Sequence, residues 1–245
     1  MLVLRNQVAL VTGASSGIGK AIALRLAGEG VNLCLVGRRI EALAAVAEKA
    51  RMTSVNALNY KVNLEVDQEV HEFCSRLLQD VEHIDIVVHS AGTISLGRID
   101  ETRIQDFDTQ YHVNVRAPWL LTQALLPGLR ARKGQIVFIN SSAGLNARAG
   151  VGQYAATKHS LKALADSLRQ EVNPDGVRVL SIFPGRTATP LQAAVCKEED
   201  KPYHPDDLLQ PKDVADMLIA ALTLPRTAEV TDINIRPLKN PRIGS

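Results

Sequence analysis

The sequence predicts an α/β fold, a doubly wound three-layer sandwich with a parallel sheet of about seven strands. Three observations carry that expectation. The apolar run Val8-Ala9-Leu10-Val11 leads into a glycine-rich turn, Thr12-Gly13-Ala14-Ser15-Ser16-Gly17-Ile18-Gly19, which opens an amphipathic helix. Strand-like and helix-like patterns then alternate along the chain, and strands that are apolar throughout belong in a parallel sheet covered on both faces. No linker, repeat or low-complexity segment interrupts the alternation, so residues 1–245 are expected to form one domain.

Taken in order, the helix after the turn carries an apolar stripe of Ile18, Ala21, Ile22, Leu24 and Leu26, and stops near Gly28 and Gly30. A strand follows over 31–36, a helix over 41–51, a strand over 55–62, a helix over 67–79 and a strand over 84–88. Helices over 101–110 and 113–132 occupy the middle, then a strand over 136–139 and a helix over 153–171. A strand over 177–182, a helix over 211–222 and a strand over 229–235 complete the pattern. Residues 184–211, with five prolines and the charged run Lys197-Glu198-Glu199-Asp200-Lys201, form the least regular stretch. In open sheets ligands bind beyond the carboxyl ends of the strands, so a long insertion there is expected to act as a substrate lid.

Composition narrows the function classes. At 46% hydrophobic, the chain can bury a large core, yet no run approaches the roughly 20 apolar residues of a membrane span. Its 28 basic and 26 acidic residues are interspersed, which gives no basic stripe for nucleic acid and points to a small-molecule partner. Cys34, Cys74 and Cys196 stand far apart without metal-ligand spacing, as reduced thiols do, and the six histidines form no metal motif. With no secretory pattern at the N-terminus, a cytoplasmic location is the default expectation, and no metal is expected.

The glycines of the first turn allow a sharp bend and a close approach of backbone to ligand, and the free N–H groups of a first helical turn favour an anion. A dinucleotide pyrophosphate suits that place. A second constellation carries the chemistry: Tyr154 and Lys158 lie four apart on a helix and project from one face. An ammonium near a phenol is expected to bring its pKa of about 10 toward the working range, so that Tyr154 can exchange a proton with a substrate oxygen. The serines Ser141 and Ser142 follow a strand end upstream, where a hydroxyl can donate to a carbonyl.

With these motifs in hand, the sequence resembles the short-chain dehydrogenase/reductase family in its compact, single-domain, Rossmann-type branch. The resemblance runs from Val8 to about Thr189. It rests on the Thr-Gly-x-x-x-Gly-x-Gly turn at 12–19, Asn114, Ser141, the Tyr-x-x-x-Lys at 154–158 and Pro184-Gly185. It implies that Tyr154 is the general acid–base, Ser141 the carbonyl donor, Lys158 the cation that tunes the tyrosine and holds the nicotinamide ribose, and Asn114 the anchor of a water in the proton relay. Ser142 is the alternative to Ser141, although Gly144, three residues after Ser141, fits the family spacing. The cofactor contacts implied are Gly13, Ser15, Ser16, Gly17, Ile18, Gly19, Arg38, Asn63, Leu64, Ser90, Ala91, Gly92, Tyr154, Lys158, Pro184, Gly185, Thr187 and Thr189.

Departures from the family pattern are Ser90 in place of asparagine, Asn63 in place of aspartate, and a C-terminal end without the common glycine-rich finish. That end is more similar to NADP-dependent members acting on 3-hydroxy acids and small keto compounds. The expected function is hydride transfer between a nicotinamide and a secondary alcohol or carbonyl carbon, with a redox sensor or scaffold without turnover as the alternative. NAD-binding sheets of this type carry an acid at the end of the second strand; here Gly37-Arg38-Arg39 stand there, and a guanidinium suits the 2′-phosphate of NADP(H), with Arg38 expected as the principal contact, helped by Ser15. Arg148 and Arg186 border the expected carbonyl pocket and could hold a substrate carboxylate, or pair with the acids at 198–200. The resemblance also implies a homo-oligomer, dimer or tetramer, through helices 113–132 and 153–171, whose apolar residues could equally be core.

Overall fold

The structure is a computed structural model and describes residues 3–238. Seven parallel strands form one sheet: β1 (Val8–Thr12), β2 (Asn32–Gly37), β3 (Ala57–Lys61), β4 (Ile86–His89), β5 (Gln135–Ile139), β6 (Arg178–Pro184) and β7 (Asp232–Ile235), in the order β3-β2-β1-β4-β5-β6-β7. Side-chain alternation in β1 sends Ala9 and Val11 to one face and Leu10 to the other. On the first face lie α1 (Gly17–Gly28), α2 (Ile40–Arg51) and α8 (Pro211–Leu222), which bury Ile22, Leu26, Leu43, Val46, Leu218 and Leu222. Against the second pack α3 (Asp67–Asp80), α5 (Ala117–Arg132) and α6 (Gly152–Val172), with Phe73, Leu77, Leu121, Leu125, Leu161 and Val172. Sheet order reverses between β1 and β4, and a crevice opens at that point beyond the strand ends.

Three elements differ from the expectation. The middle helices form one rod: α4 (Ile104–Tyr111) passes through a π-helical turn, His112–Arg116, into α5. The stretch 184–211 is less irregular than its prolines suggest, because Pro190–Glu198 form a helix, α7. Thr189 caps it by accepting from the Gln192 N–H at 3.1 Å, and Pro190 takes the first helical position, where its missing N–H costs nothing. The last strand begins at Asp232, three residues later than the apolar pattern indicates.

Candidate active site

The crevice is a cavity of about 830 Å³ running from Arg38 and Arg39 at one end to α7 at the other. At its floor the glycine turn is as tight as the sequence demands. Gly13 has φ +67° and Gly17 φ +56°, a Cβ on Gly13 would lie 2.9 Å from the Ala91 backbone, and one on Gly19 would lie 2.5 Å from the Gly13 carbonyl oxygen. Thr12 ties this turn to the end of β4, its Oγ1 accepting from the backbone N–H groups of Ser90 and Ala91 at 3.0 and 3.1 Å. Ser16 precedes α1 without a side-chain cap, so the first amides of the helix are not claimed by it. The buried Ser90 Oγ, where the family has asparagine, also has no hydrogen-bond partner. A glycine cradle without side chains, uncapped amides and an unpaired hydroxyl fit a pyrophosphate and its flanking riboses.

Arg38 and Arg39 are both exposed on the cavity wall, and Arg39 Nη2 donates to Ser15 Oγ at 3.4 Å. Arg39 was the less obvious of the pair in the sequence, since one residue's offset at a strand end is not readable from spacing. Asn63 and Leu64 line the same end; Asn63 accepts at Oδ1 from the Glu65 N–H, which holds its side chain at the wall. Pro184, Gly185, Thr187 and Thr189 line the opposite side, with Thr187 Oγ1 donating to the Gly185 carbonyl at 3.0 Å.

At the centre, α6 brings Tyr154 and Lys158 to the wall beside Ser141. Ser141 caps a short turn, Ser142–Gly144, accepting at Oγ from the Ala143 N–H at 3.2 Å, and stands with Tyr154 on the cavity wall. With that acceptor position filled, its own hydrogen is free to point at a carbonyl. Ser142 is exposed and begins the turn itself. A Cβ at Gly144 would lie 2.5 Å from Asn140 Oδ1 and 2.9 Å from the Lys158 carbonyl, so only glycine lets this turn dock on α6. Lys158 is 3% exposed and donates one bond, to the Ile139 carbonyl at 3.1 Å, which leaves two N–H donors for the cavity.

Burial pushes the Tyr154 phenol up to about 12, against a lowering pull from the neighbouring Ser141 hydroxyl, and burial pulls the Lys158 ammonium down to about 8. Lys158 Nζ lies 5.7 Å from the centre of the Tyr154 ring, over its face, and is anchored to the Ile139 carbonyl. Tyr154 keeps part of its surface open to the cavity and is a protonated phenol at neutral pH.

Asn114 sits in the π-helical turn, fully buried, with Oδ1 accepting from the Thr93 N–H and Nδ2 donating to the Thr93 carbonyl, both at 2.9 Å, and to Thr157 Oγ1 at 3.0 Å. Its side chain is thus committed, and a water in a relay would have to use its backbone. Thr157, absent from the sequence expectations, donates in turn to the Tyr154 carbonyl at 2.8 Å. Arg148 and Arg186 do border the cavity, but both bind Glu199 in place of open space. Among the described residues no cluster of three or more His, Cys, Asp or Glu side chains could hold a metal ion, and no helix is long and apolar enough to cross a membrane.

A family model described as short chain dehydrogenase matches residues 7–200. An uncharacterized oxidoreductase of Staphylococcus aureus is 34% identical over 241 residues, which cover 97% of this chain and all of the relative. Among solved structures, an alcohol dehydrogenase from Thermococcus sibiricus complexed with 5-hydroxy-NADP superposes with TM-score 0.88 at 27% identity, covering 97% of this chain and 99% of the other. L-sorbose reductase from Gluconobacter frateurii, complexed with NADPH and L-sorbose, gives TM-score 0.88 at 27% identity, covering 98% of this chain and all of the other.

Proposed function

The chain belongs to the short-chain dehydrogenase family, and from that premise we propose that it is an NADP(H)-dependent oxidoreductase, moving a hydride between the nicotinamide and a secondary alcohol or carbonyl carbon. The observation that carries the reading is the meeting of Ser141, Tyr154 and Lys158 at one wall of a cavity whose other end is a glycine cradle. Bound there, the dihydronicotinamide would supply the hydride. The chain's own residues do the rest. Ser141 donates to the carbonyl oxygen and holds it, and Tyr154 gives its phenolic proton to that oxygen as negative charge develops on it. The two free N–H donors of Lys158 would hold the ribose hydroxyls of the cofactor, and Asn114 keeps the Thr93 segment against α6.

Preference for NADP(H) rests on Arg38 and Arg39 flanking the place where NAD-binding sheets carry an acid, and the NADP-bound structural relatives support it. The 3-hydroxy acid version would rest on Arg148 and Arg186, which Glu199 already occupies. The chain is read as one catalytic unit with residues 184–211, including α7, as its lid. A homo-oligomer through α5 and α6 is part of the same reading, supported by Trp119, an aromatic left 56% exposed on α5. A cytoplasmic location is supported by three free, buried thiols. NADPH oxidation on a panel of ketones and aldehydes tests the activity: turnover is expected, and tight NADPH binding without any turnover would leave the sensor or scaffold reading instead.

A further inference from the structure

The lid helix α7 ends in two acids that hold opposite sides of the cavity mouth. Glu198 Oε1 accepts from the Leu96 backbone N–H at 3.2 Å. Glu199 turns the other way, with Arg186 Nη2 2.8 and 2.7 Å from its two oxygens, Arg148 Nη2 3.2 Å from one of them and Lys201 Nζ 3.5 Å from the other. The Glu199 side chain is only 13% exposed. Burial by itself would raise its pKa, but the Arg186 hydrogen bond and the charges of Arg186, Lys201 and Arg148 hold it below the usual carboxylate range. At neutral pH it is therefore an anion already seated on the two arginines that face the substrate end of the cavity.

We propose, building on the function assigned above, that Glu199 is a specificity-determining residue which makes this pocket select neutral carbonyl compounds over anionic ones. A substrate carboxylate could reach Arg148 and Arg186 only by displacing Glu199. That would leave a largely buried carboxylate without its partners, or would swing α7 away and break the Glu198 contact as well. A neutral ketone demands neither. It meets an apolar wall of Leu96, Val151, Leu191 and Val195, and its polar needs are met by Ser141 and Tyr154. The discrimination thus comes from an internal anion that raises the cost of the wrong substrate.

The test measures kcat/KM with NADPH for 3-oxo acids, acetoacetate first, each against its own methyl ester, in wild type, Glu199→Gln and the double variant Arg186→Met with Glu199→Gln. Wild type should favour the ester. Glu199→Gln, which keeps the shape and removes the charge, should move the acid-to-ester ratio toward the acid by about tenfold or more. In the double variant the ratio should fall back, because the gain needs the freed guanidinium. A wild type that prefers the acid, or a ratio that Glu199→Gln leaves in place, overturns the inference while the oxidoreductase reading stands. Should Glu199→Gln not fold, the wild-type ratio alone still decides. Absence of turnover with every acid, every ester and every other carbonyl compound overturns the proposed function and this inference together.

Discussion

Tyr154 and Lys158 show how the placing of a pair of residues is legible in a sequence while their electrostatic surroundings are not. Spacing puts both on one face of α6, but it cannot say that Lys158 Nζ bonds back to Ile139 or that burial raises the pKa of the phenol. Two outcomes follow. Tyr154→Phe removes only the proton-bearing oxygen, so NADPH binding by fluorescence titration should persist while kcat falls by about 10²- to 10⁴-fold. A phenol held near 12 is protonated at neutral pH, so carbonyl reduction should stay flat from neutral to mildly alkaline pH, whereas alcohol oxidation, which needs the phenolate, should rise with pH over the same range. At the other end of the cavity, Gly37 is the residue to change. A Cβ there meets Leu43 and Ser15 only at 3.5 and 3.7 Å, ordinary contact distances, so an acid fits. Gly37→Asp with Arg38→Ala and Arg39→Ala should move the NADP/NAD preference toward NAD by at least about tenfold in kcat/KM, since it deletes two cations beside a phosphate and adds a carboxylate. An unmoved ratio would sink the cofactor argument.

The elements carry information that single residues do not. The π-helical turn at His112–Arg116 is invisible to periodicity, because one added residue in a rod of helix leaves both flanking stripes intact. It nevertheless turns Asn114 inward, where a chain of hydrogen bonds runs from Thr93 through Asn114 and Thr157 to the carbonyl of Tyr154. Thr157 is a positioning residue in this arrangement: it touches no substrate, yet it sets the first turn of α6 against the rod. Thr157→Val keeps the volume and drops the hydroxyl, and kcat should fall by about tenfold with KM for the carbonyl compound little changed, while Thr157→Ser restores the rate. A loss that serine does not repair would mark the threonine as packing alone. Helix α7, by contrast, was legible in principle. Thr189-Pro190 is a cap and first-turn pair, and Leu191 and Val195 stand one helical turn apart behind it; the density of prolines from 184 to 211 hid that signal.

At the scale of the whole molecule, the order of seven parallel strands follows from the alternation of apolar strands with helices, and the crevice follows from the reversal between β1 and β4. What the alternation could not show is which polar residues the sandwich would swallow. His89, at the end of β4, is one. It is 2% exposed, stacks on Phe138 with ring centroids 4.9 Å apart and shares a 3.0 Å hydrogen bond with Thr122 on α5, while its Nδ1 has no partner. Burial pulls its pKa down to about 3, so the folded protein holds it neutral. Unfolded, the same imidazole titrates near 6.5. Above that pH neither state binds the proton and the contribution to stability is complete; as pH falls below it, the unfolded chain takes up a proton that the folded chain refuses. Stability should therefore drop with a slope approaching about 1.4 kcal/mol per pH unit until the folded value is reached. Because His89 joins β4, β5 and α5 at the centre of the sheet, the proton is coupled to unfolding of the whole sandwich and not to a loop. Urea unfolding of wild type and His89→Gln at a series of pH values from neutral to mildly acidic isolates this effect. The variant should start less stable, through lost packing on Phe138, and its curve should be shallower by that slope below pH of about 6.5. Parallel curves would mean that the imidazole accepts its proton inside the fold.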